Sequence, residues 1–446
     1  MKRALTSVIF FCVITTFLWG TDSFSELEKY WHQWRGPEAS GVAPHGDPPI
    51  EWSENKNIRW KTEIPGQGHA TPIVWDDTIF VTSAVKTNKQ IELAPMEEPQ
   101  RRRGRRGRSS TPSSVHQFVI FAINRSDGSI RWQQTAREEV PHEGTHQTGS
   151  WAANSSVTDG EHVYAYFGSR GLYCYDMQGN LQWEKDLGDM ATRRSFGEGS
   201  SPALYGDAII INWDHEGDSF IVALDKRTGE ELWKVDRDEV TSWATPLVVE
   251  HNGNHQVIIN ATHRTRSYDL ATGEVLWECG GMTANTIPSP VTANGIVYVT
   301  SGFRGNALQA IRLADAEGDI TRGEAIVWEY GRDTPYVPSP LLYDDTLYFL
   351  KSNSGILSAF NANTGEAYYG PERLEGISEV YASPVGADGR IYIASRDGVT
   401  LVIKHGSTLE VLAENVLNDG FNASPAIVGK EIYLRGNRSL YCIASD

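Results

Sequence analysis

The sequence predicts an all-β protein: an eight-bladed β-propeller of four-stranded antiparallel blades, its ring closed by an N-terminal strand that completes the last blade. Three observations predict it. The first is a recurring figure, seen whole in Ala223 to Trp233: an apolar run into Asp225, a Thr228-Gly229 turn, and Trp233 four residues beyond the glycine. It returns as Asn124, Gly128 and Trp132, as Asp176, Gly179 and Trp183, as Asp269, Gly273 and Trp277, and as Asn361, Gly365 and Tyr369. A period of about 40–45 residues holding four short strands is the signature of propeller blades. The second is a small hydroxyl residue followed by proline, at Thr71, Ser201, Thr245, Ser289, Ser339, Ser383 and Ser424, with Ser155-Ser156 in the place where proline is missing. Proline is tolerated at a strand's first residue, and each landmark precedes an apolar hairpin such as Leu341 to Phe349. The third is the count. The last unit, opening at Ser424, has room for only three strands, while Asn57 to Lys61 reads as a strand without partners. Pairing the two closes the ring and removes its open edges.

Taken in order, residues 1–23 read as an export signal: Lys2 and Arg3 lead an apolar run from Ala4 to Trp19 that is short for a membrane span. An uncleaved anchor is the rival reading. With the signal removed no span is expected. Residues 24–56 are an irregular lead-in holding Trp31, Trp34 and Trp52, too aromatic for a free linker and expected to pack on the propeller's flank. Residues 57–446 are the propeller. Within blade one, residues 85–115 form an insertion rich in Arg, Gly, Ser and Pro (Arg101, Arg102, Arg103, Arg105, Arg106 and Arg108), expected to be a disordered loop or a docking site for a polyanion or acidic partner. The repeat's closing aromatics, Trp60, Trp132, Trp183, Trp233, Trp277 and Trp328, are expected to dock each blade on its neighbour. Each would bury on the order of 150–250 Å². Cys174 and Cys442 occupy the slot that Ala122, Ala223, Ala310 and Ala359 fill elsewhere and read as small core residues, while Cys279 lies outside it and reads as a free thiol.

The chain has 446 residues and a net charge of -17, which argues against nucleic acid as a partner and suits a soluble, self-repelling monomer. Chemistry is expected on one face. Turns joining first to second and third to fourth strands are tight. The opposite face collects the blade-to-blade connections, with His69, Trp151, Arg194, Glu198, Trp243, Tyr381 and Asn422. It also collects the second-to-third loops, with Arg170, Asp214, His215, Glu216, Arg264, Arg266, Arg304, Asn306, Arg396 and Arg435. Arg170, Arg304, Arg396 and Arg435 follow second strands at comparable places. Either they converge on the channel as a site for a small anion, or they pair with acids such as Glu198 or Asp214. Two motif matches carry little. His142-Glu143-Gly144-Thr145-His146 fits a zinc-protease pattern in letters, but Pro141 and Gly144 deny it the helix that chemistry needs. Asp214, Glu216 and Asp218 alternate as calcium ligands do, with the glycine misplaced for an EF-hand.

The figure of Ala223 to Trp233 resembles the repeat of pyrroloquinoline quinone (PQQ)-type propellers, the quinoprotein alcohol dehydrogenase-like superfamily, over about residues 57–446. Trp31 to Pro37 and the run from Cys279 through Pro290 to Asn306 are similar to exported PQQ-like repeat proteins of planctomycete type. The resemblance implies the propeller fold and two kinds of function. Dehydrogenases of this superfamily hold PQQ over the channel beside calcium, with an Asp as base and in many a vicinal disulfide; this sequence has no adjacent cysteines. The other kind is a non-catalytic scaffold, the propeller of the outer-membrane barrel assembly machine. The expected function is therefore an exported propeller that binds a small anion or an envelope protein on its loop-rich face without catalysis. The alternative is a PQQ- and calcium-dependent dehydrogenase of an alcohol or sugar. A scaffold predicts an exposed apolar patch on the rim, a dehydrogenase a deep polar pocket on the axis.

Overall fold

The computed structural model describes residues 26–90 and 112–445; the expected signal (1–23), Cys12 and the arginines of the insertion (101–108) lie outside the described residues. Eight sheets follow one another along the chain, each in sequence order except the last and each antiparallel but for one short parallel strand added to the edge of the fourth. The first strand of each blade is innermost, and neighbouring first strands touch around the axis. They are Ile73–Trp75, Val157–Thr158, Ala203–Tyr205, Leu247–His251, Val291–Ala293, Leu341–Tyr343, Val385–Ala387 and Ala426–Val428, all directly after the hydroxyl landmarks. Blade eight takes its outer strand from the other end of the chain. Ile58–Glu63 pairs antiparallel with Ser439–Ala444, Trp60 opposite Cys442.

The small slot has a physical reason. Ala122, Cys174, Ala223, Ala310 and Cys442 each lie opposite the outer strand's Trp, so a small side chain leaves the indole room. Both cysteines are buried and unbridged, and burial pushes their thiols up to about 12. The docking tryptophans share one geometry. The indole N–H of Trp60, Trp132, Trp183, Trp233 and Trp328 donates to a carbonyl of the next blade (Arg125, Met177, Lys226, Leu270 and Ala362) at 2.8–3.1 Å. The turn glycine of that next blade lies flat on the ring: a Cβ on Gly128, Gly179, Gly229, Gly273 or Gly365 would stand 2.6–2.7 Å from indole carbons. The repeat's Gly and Trp are thus two halves of one inter-blade lock.

Trp277 departs from this pattern. Blade five has no such turn; Leu313–Asp315 forms a 3-10 turn and Gly318–Asp319 returns to pair with the outer strand of blade four, Trp277 opposite Gly318. Trp277 is sealed at 1% exposure and donates instead to Gln256 Oε1 at 3.1 Å.

Two expectations are corrected. Strand pairing reaches into the span 85–115: Thr78–Gln90 and Ser114–Asn124 form a long hairpin, Val85 opposite Gln117 and Lys86 opposite His116, where β-branched Val85, Thr87 and Val115 support extended backbone. Only the end of the lead-in lies on the flank, where Trp52 N–H donates to Asn415 Oδ1 (2.7 Å) and Ser53 bridges Val416 on the outer strand of blade seven, Val411–Val416. The stretch before it threads the channel. Val74 N–H donates to Trp31 O (2.8 Å), Thr158 N–H to His32 O (3.0 Å), Ala43 N–H to Gly386 O (2.8 Å) and Asp47 N–H to Gly429 O (2.7 Å). Arg35 donates to Pro384 O (2.6 Å) and Pro340 O (2.7 Å). The blades present unpaired donors and acceptors to the axis, and the lead-in satisfies them.

Candidate functional site

The hydroxyl landmarks do more than begin strands. Each backbone N–H donates to the hydroxyl of the next blade's landmark: Thr71 to Ser155, Ser155 to Ser201, Ser201 to Thr245, Thr245 to Ser289, Ser289 to Ser339, Ser339 to Ser383, and Ser383 to Ser424, at 2.9–3.1 Å. The chain of bonds circles the axis and opens once, between blades eight and one, where Thr71 Oγ1 is buried without a partner. Above this ring, on the loop-rich face, lies a cavity of about 520 Å³. Its floor is Trp34 of the lead-in, whose indole N–H donates to Ser289 Oγ at 3.2 Å, and the hydroxyls of Ser201, Thr245, Ser289, Ser339 and Ser383. Its walls are the blade-to-blade connections, with His69, Ser150, Arg194, Glu198, Trp243, Tyr381 and Asn422. Phe196, Phe303 and Tyr336 complete an aromatic collar, the last two stacked at 4.8 Å. Trp243 is fixed by its own N–H to Thr286 O (2.9 Å) and its indole N–H to Gly197 O (2.7 Å).

The candidate residues therefore divide by position in the blade. Connections run into the innermost strand and reach the axis, so His69, Arg194, Glu198, Trp243, Tyr381 and Asn422 line the cavity. Trp151, the other connection residue, packs on His116 instead, the two rings tilted with centroids 4.6 Å apart. The second-to-third loops sit farther out, and their polar residues hold blades together. Arg170, 2% exposed, pairs with Glu139 and Glu198 at 3.2 Å. Asp214 pairs with Arg237 at 2.7 Å with both side chains fully buried, and accepts from Ser242 Oγ at 2.5 Å. Glu216 accepts from Thr241 Oγ1 (2.9 Å), and His215 from Ala191 N–H (3.0 Å). Arg264 meets Asp319 and Glu278, each at 3.0 Å; Arg266 meets Asp238 (2.5 Å) and Glu278 (2.9 Å). Asn306 Oδ1 accepts from Thr334 at 3.1 Å. Arg304 lies over the Phe303 ring and Arg396 over the Tyr381 ring, the latter also paired with Glu379. Arg435, 1% exposed, donates to Gly436 O at 2.7 Å. The four comparable arginines do not converge on the channel.

Neither metal motif survives as geometry. His142 Nε2 meets Met190 O at 2.7 Å, while His146 Nδ1 meets Thr148 Oγ1 at 2.7 Å, so the two imidazoles face different partners. His142, Glu143 and Glu198 approach one another, but Glu143 accepts from Thr192, and Glu198 accepts from Ser169 N–H (2.7 Å) and Oγ (2.6 Å) beside Arg170. Asp214 is committed to Arg237. A calcium ion does not fit donors already held by a guanidinium. Nor does the lining fit PQQ, a tricarboxylate: the wall carries one guanidinium, Arg194, and one carboxylate, Glu198, and the buried cysteines lie elsewhere in separate blades.

The family model described as outer membrane protein assembly factor BamB matches residues 49–202 and 217–446. The chain belongs to this family. No curated protein matches it in sequence. Among solved structures it is similar to BamB from Moraxella catarrhalis (15% identity, TM-score 0.52, 81% of this chain and 98% of that one). It is also similar to the quinohemoprotein alcohol dehydrogenase from Comamonas testosteroni (11%, 0.63, 96% and 82%) and to the computationally designed Ika8 protein (13%, 0.52, 76% and 94%). At such identities these likenesses show the fold alone. No helix among the described residues is long and apolar enough to cross a membrane.

The sequence reading missed Trp34, Phe196, Phe303 and Tyr336, and the hydroxyls as a ring. Trp34 was visible as an aromatic in a segment too apolar to be free; nothing local tells that its target is the axis.

Proposed function

We propose that this protein is an exported, non-catalytic binding propeller that takes a small ligand bearing a flat ring system in its axial cavity. The observation that carries the reading is a cavity of about 520 Å³ on the axis, open on the loop-rich face, floored by Trp34 and walled by Trp243, Phe196, Phe303, Tyr336 and Tyr381. Pockets of this size with an apolar lining and a few fixed polar groups suit drug-sized ligands. The rim supports this over a protein scaffold. Among the described residues, the exposed large apolar side chains Ile130, Leu181, Leu232, Val275 and Tyr368 fall singly on the outer strands of different blades, with Val411 and Val416 as one pair. Scattered singles are ordinary surface. Export rests on the pattern of residues 1–23. A fluorescence titration with the neutral probe N-phenyl-1-naphthylamine tests the reading. Saturable binding that is lost in Ala153→Trp, which fills the cavity from its wall, is expected. Equal binding by both proteins, or none by either, would refute it.

A further inference from the structure

Behind one wall of the axial cavity, three carboxylates meet one buried guanidinium. Arg170, only 2% exposed, pairs with Glu139 and Glu198, each at 3.2 Å. Glu139 is also held by Arg137, whose second partner is Asp186. The third carboxylate, Glu143, rests on neutral donors: both its oxygens accept from Thr192 N–H at 3.2 Å, and Oε1 also accepts from Thr192 Oγ1. One carboxylate oxygen of Glu143 and one of Glu198 lie within 4.8 Å of each other. Like charges this close raise the cost of ionising both, the more so away from bulk water.

The space between them suits one more group. Glu143, Glu198, Arg170 and Trp151 line a void with about 10 Å³ open to the centre of a water, which is room for a single molecule. Arg170 Nη2 has no hydrogen-bond partner among the described residues, and a buried N–H without an acceptor is costly. One water meets all three demands: it accepts from Nη2 and gives one O–H to each carboxylate. The frame around it is fixed. Trp151 donates its indole N–H to Glu143 O at 3.0 Å, and Ser169 holds Glu198 through its N–H and its hydroxyl.

We propose that this void is a buried water site at which Glu143 and Glu198 share one proton. With the proton bound, the Glu143 O–H donates to the water, which donates to Glu198 and accepts from Arg170. With the proton gone, both carboxylates accept from the water and the Arg170 bond is unchanged. Glu198 also forms part of the axial cavity's wall, so that wall carries one negative charge fewer in mild acid than at neutral pH, whatever the cavity binds. The other titratable groups facing the pair are committed. His142 Nε2 donates to Met190 O, and its Nδ1 faces Asp189 at 3.2 Å. The Tyr166 phenol, in the field of Glu198, is kept protonated by burial. Burial pushes the Glu143 carboxyl up, against its bonds from Thr192 and the neighbouring His142, and the charge of Glu198 adds to the rise.

Two measurements on the full chain test the site. Neutron diffraction from crystals held at about pH 4.5, the ordinary glutamate range, should show a water bonded to Arg170 Nη2, Glu143 and Glu198, and a deuteron on Glu143. A metal ion in that place, side chains closed over the void, or two bare carboxylates would each overturn it. Urea denaturation of the parent and Glu143→Gln follows the same proton in solution. A carboxyl whose pKa is raised by folding contributes stability below the unfolded value and loses it as pH rises through the folded one. Glutamine imitates the protonated form and removes that loss. The variant's midpoint should therefore climb relative to the parent's between about pH 4.5 and 7. A midpoint difference that stays constant with pH is a structural effect alone and overturns the shared proton. Should Glu143→Gln not fold, the deuteron on the parent's Glu143 decides by its presence or absence.

Discussion

Gly229 and Gly206 lie in the same blade, both with positive φ (+71° and +57°), and differ in what a side chain would meet. A Cβ on Gly206 has nothing within 4 Å, whereas one on Gly229 would stand 2.7 Å from Trp183 Cε3. At Gly206 an alanine bears only the left-handed backbone cost of roughly 1–2 kcal/mol, offset in part by the lost unfolded-state freedom of glycine, about 0.4–1 kcal/mol. At Gly229 it bears the same cost and must also displace an indole pinned at the far side by its bond to Lys226 O at 3.1 Å. Overpacking of this kind costs about 1–3 kcal/mol. Gly229→Ala should therefore destabilise by about 1–3 kcal/mol more than Gly206→Ala. Equilibrium urea denaturation followed by circular dichroism reads this as a lower midpoint at unchanged slope. In a Trp183→Ala background the excess should vanish, since the methyl then has room. Equal penalties for the two alanines, or an excess that persists without Trp183, would show that the glycine serves its turn alone and that the inter-blade lock is wrong.

Other outcomes follow from the same geometry. Thr245→Val leaves the buried Ser201 N–H without its acceptor at 3.0 Å and should cost about 1–3 kcal/mol in denaturation. Thr71→Val, at the one hydroxyl that no N–H meets, should be close to neutral; equal effects would contradict the open ring. Arg237→Met strands the fully buried Asp214 and should destabilise by about 3–5 kcal/mol. His32 is held neutral by burial, its imidazole pushed down to about 4. The unfolded chain takes up that proton first, near pH 6.5, so His32 contributes a loss of stability as pH falls from 6.5 towards 4, of up to about 3 kcal/mol. His32→Gln should flatten that part of the stability profile, and an unchanged acid slope would refute the assignment.

The propeller was legible because its repeat is a physical unit. Asp225, Gly229 and Trp233 mark a turn and a lock that each blade needs, and blade eight's missing strand could be matched to Trp60 by counting alone. The exceptions were also readable in part: the outer strand of blade seven has no tryptophan, and Ala413, opposite Val402, stands at the lock position, where the sequence alone would have placed Leu412. Trp277 was not readable as an exception, since its change of partner follows from a detour some forty residues later. The site was legible as a face rather than as a place. Connection residues such as His69 and Trp243 and loop residues such as Asp214 and Arg266 look alike in sequence. Only the radial order of strands within a blade separates those at the axis from those between blades. All but the end of the lead-in was misplaced for a related reason. Trp31, Trp34 and Arg35 announce burial, and the groups that meet them (Val74 N–H, Ser289 Oγ and the carbonyls of Pro340 and Pro384) stand at or just before inner strands distant in sequence.

The cavity on the axis is the centre of this account, and one measurement meets it directly. Crystals of the protein soaked with a brominated naphthylamine locate the ligand by the anomalous signal of bromine. A single peak between Trp34 and Trp243, with the ring system within the aromatic collar, is the predicted result. Full occupancy on the outer strands or the rim with an empty axis would contradict it.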